Sequence, residues 1–170
     1  MNEHLRNELL VMRELDITMR KKLVDNGELS HNSYHPEMKK VHEQNNSRIM
    51  EIVSNIGWPT ENIVGEDGSE AAWLIVQHAN LEPEFQKKCL KLLRAAVENG
   101  EANSWHLAYL QDRALVQEGK PQLFGTQNTI NNGLMEPLPI EDRKKLILKE
   151  RNLVFGLLRN IPPICKRISI

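Results

Sequence analysis

Residues 57–79 read GWPTENIVGEDGSEAAWLIVQHA, a run of turn-forming words set directly against a helix too apolar for a protein surface. Ala71, Ala72, Trp73, Leu74, Ile75 and Val76 follow one another without a polar break, so this helix has almost no face to offer water. A fold that contains it must bury it on most sides. The chain is therefore expected to be built around it, with the other elements as its cover.

The rest of the sequence supplies that cover in helical form. Leu5, Leu9, Met12, Met19 and Leu23 fall near one stripe of a helix over residues 2–26, which Asn26-Gly27 stops. Pro36 opens a second helix in which Met38, Val41, Ile49, Ile52, Val53 and Ile56 share a face, ended by Gly57 and Pro59. Thr60 can cap a short turn that Gly65 closes in a left-handed conformation, and Asp67 with Glu70 forms a D-x-x-E capping box for the apolar helix to Ala79. Pro83 opens a fourth helix with Phe85, Leu90, Leu93 and Val97 inward, closed by Asn99-Gly100. Asn103 or Ser104 caps a fifth, which carries Trp105 to Leu110 and stops at Gly119. Beyond Pro121 the helical period disappears, and Asn131-Asn132-Gly133 predicts a small β-hairpin within 122–138. A last helix is expected from Ile140 to Phe155, and Pro162-Pro163 cannot continue it. The expected fold is mainly α, a single domain of five or six helices with one hairpin.

Length and charge narrow the function. A chain of 170 residues can bury roughly two thirds of its unfolded surface without a metal or a disulfide framework. Its formal net charge of -1, with 26% charged residues, gives no basic field for nucleic acid. Two cysteines, Cys89 and Cys165, suit a reducing compartment. No unbroken apolar leader and no run of about 18 or more apolar residues occurs, so neither a signal peptide nor a membrane span is expected. A cytoplasmic location follows as the default; a protein secreted without a signal would have the same composition.

Helix geometry singles out His78. Ala71, Leu74, Ile75 and His78 stand at i, i+3, i+4 and i+7, which turns the imidazole toward the core. Trp105, Ala108, Tyr109 and Asp112 share a stripe in the same way, and a buried carboxylate needs a donor or a cation. If the stripes face each other, Asp112 orients His78 as a general base. The alternatives are a histidine satisfied by a backbone carbonyl, and an Asp112 that pins the start of the hairpin or pairs with an arginine. Arg113, Gln122, Thr126 and Gln127, joined by Glu66 and Trp73, complete the candidate ligand-binding set, although neutral amides also satisfy sheet edges and Arg113 can serve a structural ion pair. Glu66, Asp67 and Glu70 would repel an anion at the N-terminus of the apolar helix. No cofactor and no metal site is expected: His31 and His35 lie in loop-like sequence, and no C-x-x-C or H-E-x-x-H word is present.

Taken in order, Gly57-Trp58-Pro59, Val64 to Gly68, Ala72 to Ile75, Gln77-His78-Ala79, Phe85-Gln86, Ala108-Tyr109-Leu110 with Asp112-Arg113, and Gln122 to Gln127 resemble an uncharacterised bacterial domain family. The resemblance runs over roughly Ile49 to Leu157 and includes Pro139 to Asp142 and Gly156-Leu157. It divides the chain into an N-terminal helical region at 1–48, the family core at 49–157 and a C-terminal extension at 158–170, within one globular domain. Phe124 stands where the family tends to have tyrosine, and a paired arginine before Gly156 is reduced to Arg151 followed by Asn152. The resemblance implies no activity. Two functions are expected from the residues themselves. One is a binding or interaction domain for a small polar ligand, a peptide or a protein partner, with a pocket of His78, Asp112, Arg113 and Gln127. The other is a small metal-independent hydrolase in which His78 is the base, Asp112 orients it, and Arg113 or Gln127 stabilises developing charge.

Overall fold

The structure, a computed structural model, describes residues 1–28, 34–131 and 134–142. Among them are five helices and one hairpin: α1 (Glu3–Asp25), α2 (Pro36–Ile56), α3 (Glu61–His78), α4 (Pro83–Glu98), α5 (Ser104–Gln117), β1 (Asn128–Asn131) and β2 (Leu134–Pro137). The mainly α fold expected from periodicity is the fold observed. The described residues form two compact units, divided after His106 in the first turn of α5.

In the first unit α1 packs on α2 and α3, and α3 also contacts α2 and α4. The apolar helix is central as expected, with Val64, Ala71, Ala72, Ile75 and Val76 all sealed from water. Leu9, Leu23, Ile49 and Leu93 supply the facing core from the other helices. Burial of each such side chain contributes about 1.5–3 kcal/mol.

The entry to α3 differs from the expected capping. Gly65 does break the helix at φ 75°, where only glycine is comfortable, so a short first turn leads into the long one. The Thr60 side chain makes no cap bond; its carbonyl receives the Ile63 and Val64 amides instead. Asp67 forms no capping box with Glu70. Its carboxylate accepts from Arg6 Nε at 2.8 Å and Nη2 at 2.5 Å on α1, and from the Gly68 amide at 2.9 Å. A bidentate guanidinium offers the stronger, charge-assisted bonds, and it ties α1 to the start of α3.

The second unit holds most of α5 and the antiparallel hairpin, paired from Asn128 with Pro137 to Asn131 with Leu134. The hairpin turn at 132–133 lies outside the described residues. Ile140 does not start a helix; it forms a parallel bridge with Gln122. The remainder of the expected last helix, Arg151, Gly156-Leu157, Pro162-Pro163 and Cys165 also lie outside the described residues.

Candidate functional site

Three chemically active side chains meet inside the first unit, one from each of three helices. Asp16 continues the α1 stripe of Leu5, Leu9, Met12 and Leu23, all of which are buried. His42 lies on the buried face of α2 beside Met38, Val41, Asn45 and Ile49. His78 is the last residue of α3. Each stands at helical spacing on an inward stripe, so packing the helices drives the three together.

His78 Nδ1 lies 2.9 Å from Asp16 Oδ2, and His42 Nε2 lies 3.1 Å from the same oxygen. The second contact lacks hydrogen-bond geometry: His42 Nε2 and Asp16 Oδ1 are both buried, and neither has a hydrogen-bond partner among the described residues. On the other edge of the His42 ring, Nδ1 shares a hydrogen bond with the Tyr34 hydroxyl. The two imidazoles lie 5.3 Å apart, centre to centre. Asp16 is 1% exposed, whereas the His78 side chain is 25% exposed and supplies an opening to solvent.

Burial alone would raise the Asp16 carboxyl, but the His42 and His78 imidazoles overcome it and hold the group well below the ordinary carboxylate range. The Tyr34 phenol is pushed up to about 12 by burial and by the negative charges of Asp16 and Glu43. The centre therefore holds a fixed anion, two nitrogen bases and a phenol that keeps its proton.

This arrangement corrects the expected pairing of His78. The carboxylate that engages it is Asp16, 62 residues earlier, and the ring is partly open to water rather than sealed in the core. Asp112 is buried as expected, but its oxygens are fully engaged in the second unit. They accept from the amides of Leu123 at 2.7 Å, Phe124 at 3.1 Å and Thr126 at 3.0 Å, and from the Thr126 hydroxyl at 3.0 Å. This is the hairpin-pinning alternative.

Of the remaining candidates, Gln122, Thr126, Gln127 and Trp73 have structural partners of their own. Gln122 Nε2 donates to the Gln127 and Leu138 carbonyls, and its Oε1 accepts from the Gln127 amide. Gln127 Nε2 donates to Thr126 Oγ1 at 2.9 Å. Arg113 is largely buried, which pushes its guanidinium down to about 10. Trp73 Nε1 donates to the His106 carbonyl within the core. Glu66 is exposed on the rim of an open concavity shared with Met1, Arg6, Gly65, Asp67 and Glu70. Asp67 already holds Arg6 there, and the surrounding carboxylates do not invite an anion.

His106 shows what a packing histidine looks like here. Its ring stacks on Trp73 at 4.6 Å, lies 4.1 Å from Trp105, and has no hydrogen bond at either nitrogen among the described residues. Burial pushes its pKa down to about 3. An unfolded chain takes up a proton near pH 6.5 that the folded chain refuses, so this contribution to stability is complete above about pH 6.5 and falls by up to ~1.4 kcal/mol per pH unit toward pH 3. Urea unfolding between pH 7 and pH 4 should show that slope, and His106→Phe should flatten it. An unchanged slope in the variant would place the acid sensitivity elsewhere.

Asp16 and His42 escaped the sequence reading, yet both carry a signal in it. A carboxylate at 16 completes the spacing 5, 9, 12, 16, 19, 23, and His42 sits inside the apolar face of α2. Each is a polar residue where the pattern requires an apolar one.

The model of a family of unknown function, DUF6624, matches residues 3–155. No curated protein and no solved structure matches the chain. Among the described residues no helix is long and apolar enough to cross a membrane.

Proposed function

The chain belongs to this family of unknown function, and we propose that Asp16, His42 and His78 are its reactive centre, where a small polar ligand is bound and hydrolysed. The observation that carries this reading is the 2.9 Å contact between His78 Nδ1 and Asp16 Oδ2. A carboxylate on Nδ1 fixes the proton there and leaves Nε2 as the basic atom, aimed away from the anion. Because the His78 ring is partly exposed, water can reach it. General-base activation of that water follows, with Asp16 stabilising the imidazolium that forms.

The binding-domain reading shifts to the same place. Gln122, Thr126 and Gln127 serve the hairpin loop, whereas Asp16 Oδ1 and His42 Nε2 at the first unit's buried centre have no hydrogen-bond partner among the described residues. A ligand that accepts from or donates to those atoms would be held beside His78.

The test is hydrolysis of p-nitrophenyl acetate and bis(p-nitrophenyl) phosphate by the wild type and by His78→Gln. Glutamine keeps a polar side chain but has no base, so activity should fall ~10²–10⁴-fold, and added imidazole should restore part of it. A wild type without activity above buffer, or a His78→Gln variant as active as the wild type, would sink the hydrolase reading.

A further inference from the structure

We infer that Asp16, His42 and His78 form a binding site for a divalent transition-metal ion. The inference rests on the reading that this trio is the functional centre, but not on proton transfer by His78. One ligand atom from each residue lies within 4.8 Å of the other two. Two imidazole nitrogens and a carboxylate oxygen suit zinc and its first-row neighbours, and such a set leaves coordination positions for water or a ligand.

A hydrogen bond accounts for the His78 contact in metal-free protein but not for the placement of His42. Both histidines converge on Asp16 Oδ2, while Oδ1 of the same buried carboxylate has no hydrogen-bond partner among the described residues. His42 Nε2 is 3.1 Å from Oδ2 without hydrogen-bond geometry, and it is buried without any other partner among those residues. A hydrogen-bonded cluster would spread two donors over two oxygens and align each with its acceptor. Donor atoms that share one ion at about 2.0–2.2 Å stand about 2.8–3.6 Å apart, from octahedral to tetrahedral angles. The contacts of 2.9 and 3.1 Å are close to the edges of such a coordination shell.

The surroundings also match. The Tyr34 hydroxyl on His42 Nδ1 is the outer hydrogen bond that orients a metal-binding imidazole and commits its Nε2 to the ion. Supply from three different helices explains why no metal word appears in the sequence: His31 and His35 are neighbours in the chain, whereas Asp16, His42 and His78 are neighbours only after folding. The proposal departs from the expected absence of a metal site.

The experiment uses the full chain, freed of metal with EDTA and dialysed, then titrated with Zn²⁺ alone and with Co²⁺ alone. One ion per chain should bind, the melting temperature should rise, and Co²⁺ should give visible ligand-field bands of nitrogen and oxygen coordination. His78→Ala, at the partly exposed end of α3, should keep its helical circular dichroism yet bind at least ~100-fold more weakly. Asp16→Asn, which preserves volume, should do the same. Absent binding, or equal binding in the wild type and in both variants, would overturn the site. The outcomes also separate this inference from the hydrolase reading. Metal-free protein that hydrolyses ester and does not bind Zn²⁺ keeps the His78 base and ends the metal site. Tight Zn²⁺ binding without hydrolysis does the reverse.

Discussion

Asp112→Ala should lower stability by on the order of 4 kcal/mol, the largest single-residue effect expected in the second unit. The carboxylate is fully buried and receives three backbone amides and one hydroxyl from residues 123–126. Truncation leaves those donors without an acceptor, in a segment whose course is otherwise fixed by the Gln122 amide and the Gln122–Ile140 bridge. Each lost bond to a charged acceptor contributes about 1.5–3 kcal/mol, but the loop can open to water and recover part of the sum. Asp112→Asn should recover only part of the loss, because its amide group faces donors on one side. Thr126→Val, which removes one bond of the set and the acceptor of Gln127 Nε2, should cost about 1–2 kcal/mol. Urea unfolding measures all three, and amide hydrogen exchange at Leu123, Phe124 and Thr126 should accelerate first. A loss below about 1 kcal/mol for Asp112→Ala would mean that the loop is held by something other than this carboxylate.

The second large effect is expected at Asp16, and there stability and function should separate. Asp16→Ala removes a buried anion and leaves two imidazoles facing a cavity, at a cost of roughly 3 kcal/mol. Asp16→Asn keeps the volume and should cost less. Its activity should nevertheless fall by ~10³-fold or more, since an asparagine presents its amide to His78 Nδ1 and selects the wrong tautomer for a base at Nε2. Rates and urea curves measured on the same preparations resolve the two contributions. An active Asp16→Asn enzyme would show that His78 acts without its carboxylate, or that the reaction takes place elsewhere.

The difference between Asp112 and Asp16 shows how far sequence reading reaches. Periodicity correctly makes α3 central and places Asp112 on a buried stripe, because face and spacing are local properties of a helix. Which helix lies opposite that face depends on long-range packing. Periodicity therefore directs His78 toward neighbouring helices but overstates its burial and cannot name the carboxylate that meets it, which lies on α1. Asp16 and His42 were passed over for a related reason: a single polar residue in an apolar stripe looks like a minor defect until a second stripe brings its counterpart. The capping box expected at Asp67 is replaced by a tertiary partner: its carboxylate takes the Arg6 guanidinium together with the Gly68 amide. The hairpin at 128–137 was legible from its turn word, whereas the bridge at Ile140 replaced the start of an expected helix through a pairing with Gln122.

The central claim is that the Asp16 carboxylate and the His78 imidazole form one hydrogen-bonded unit at the first unit's buried centre. Long-range ¹H–¹⁵N NMR of the histidine side chains in metal-free protein near pH 8 tests it most directly. The account predicts that His78 carries its proton on Nδ1, the less common tautomer in water, with a slowly exchanging N–H signal that disappears in Asp16→Asn. A His78 ring protonated on Nε2, exchanging freely and unaffected by Asp16→Asn, would contradict it.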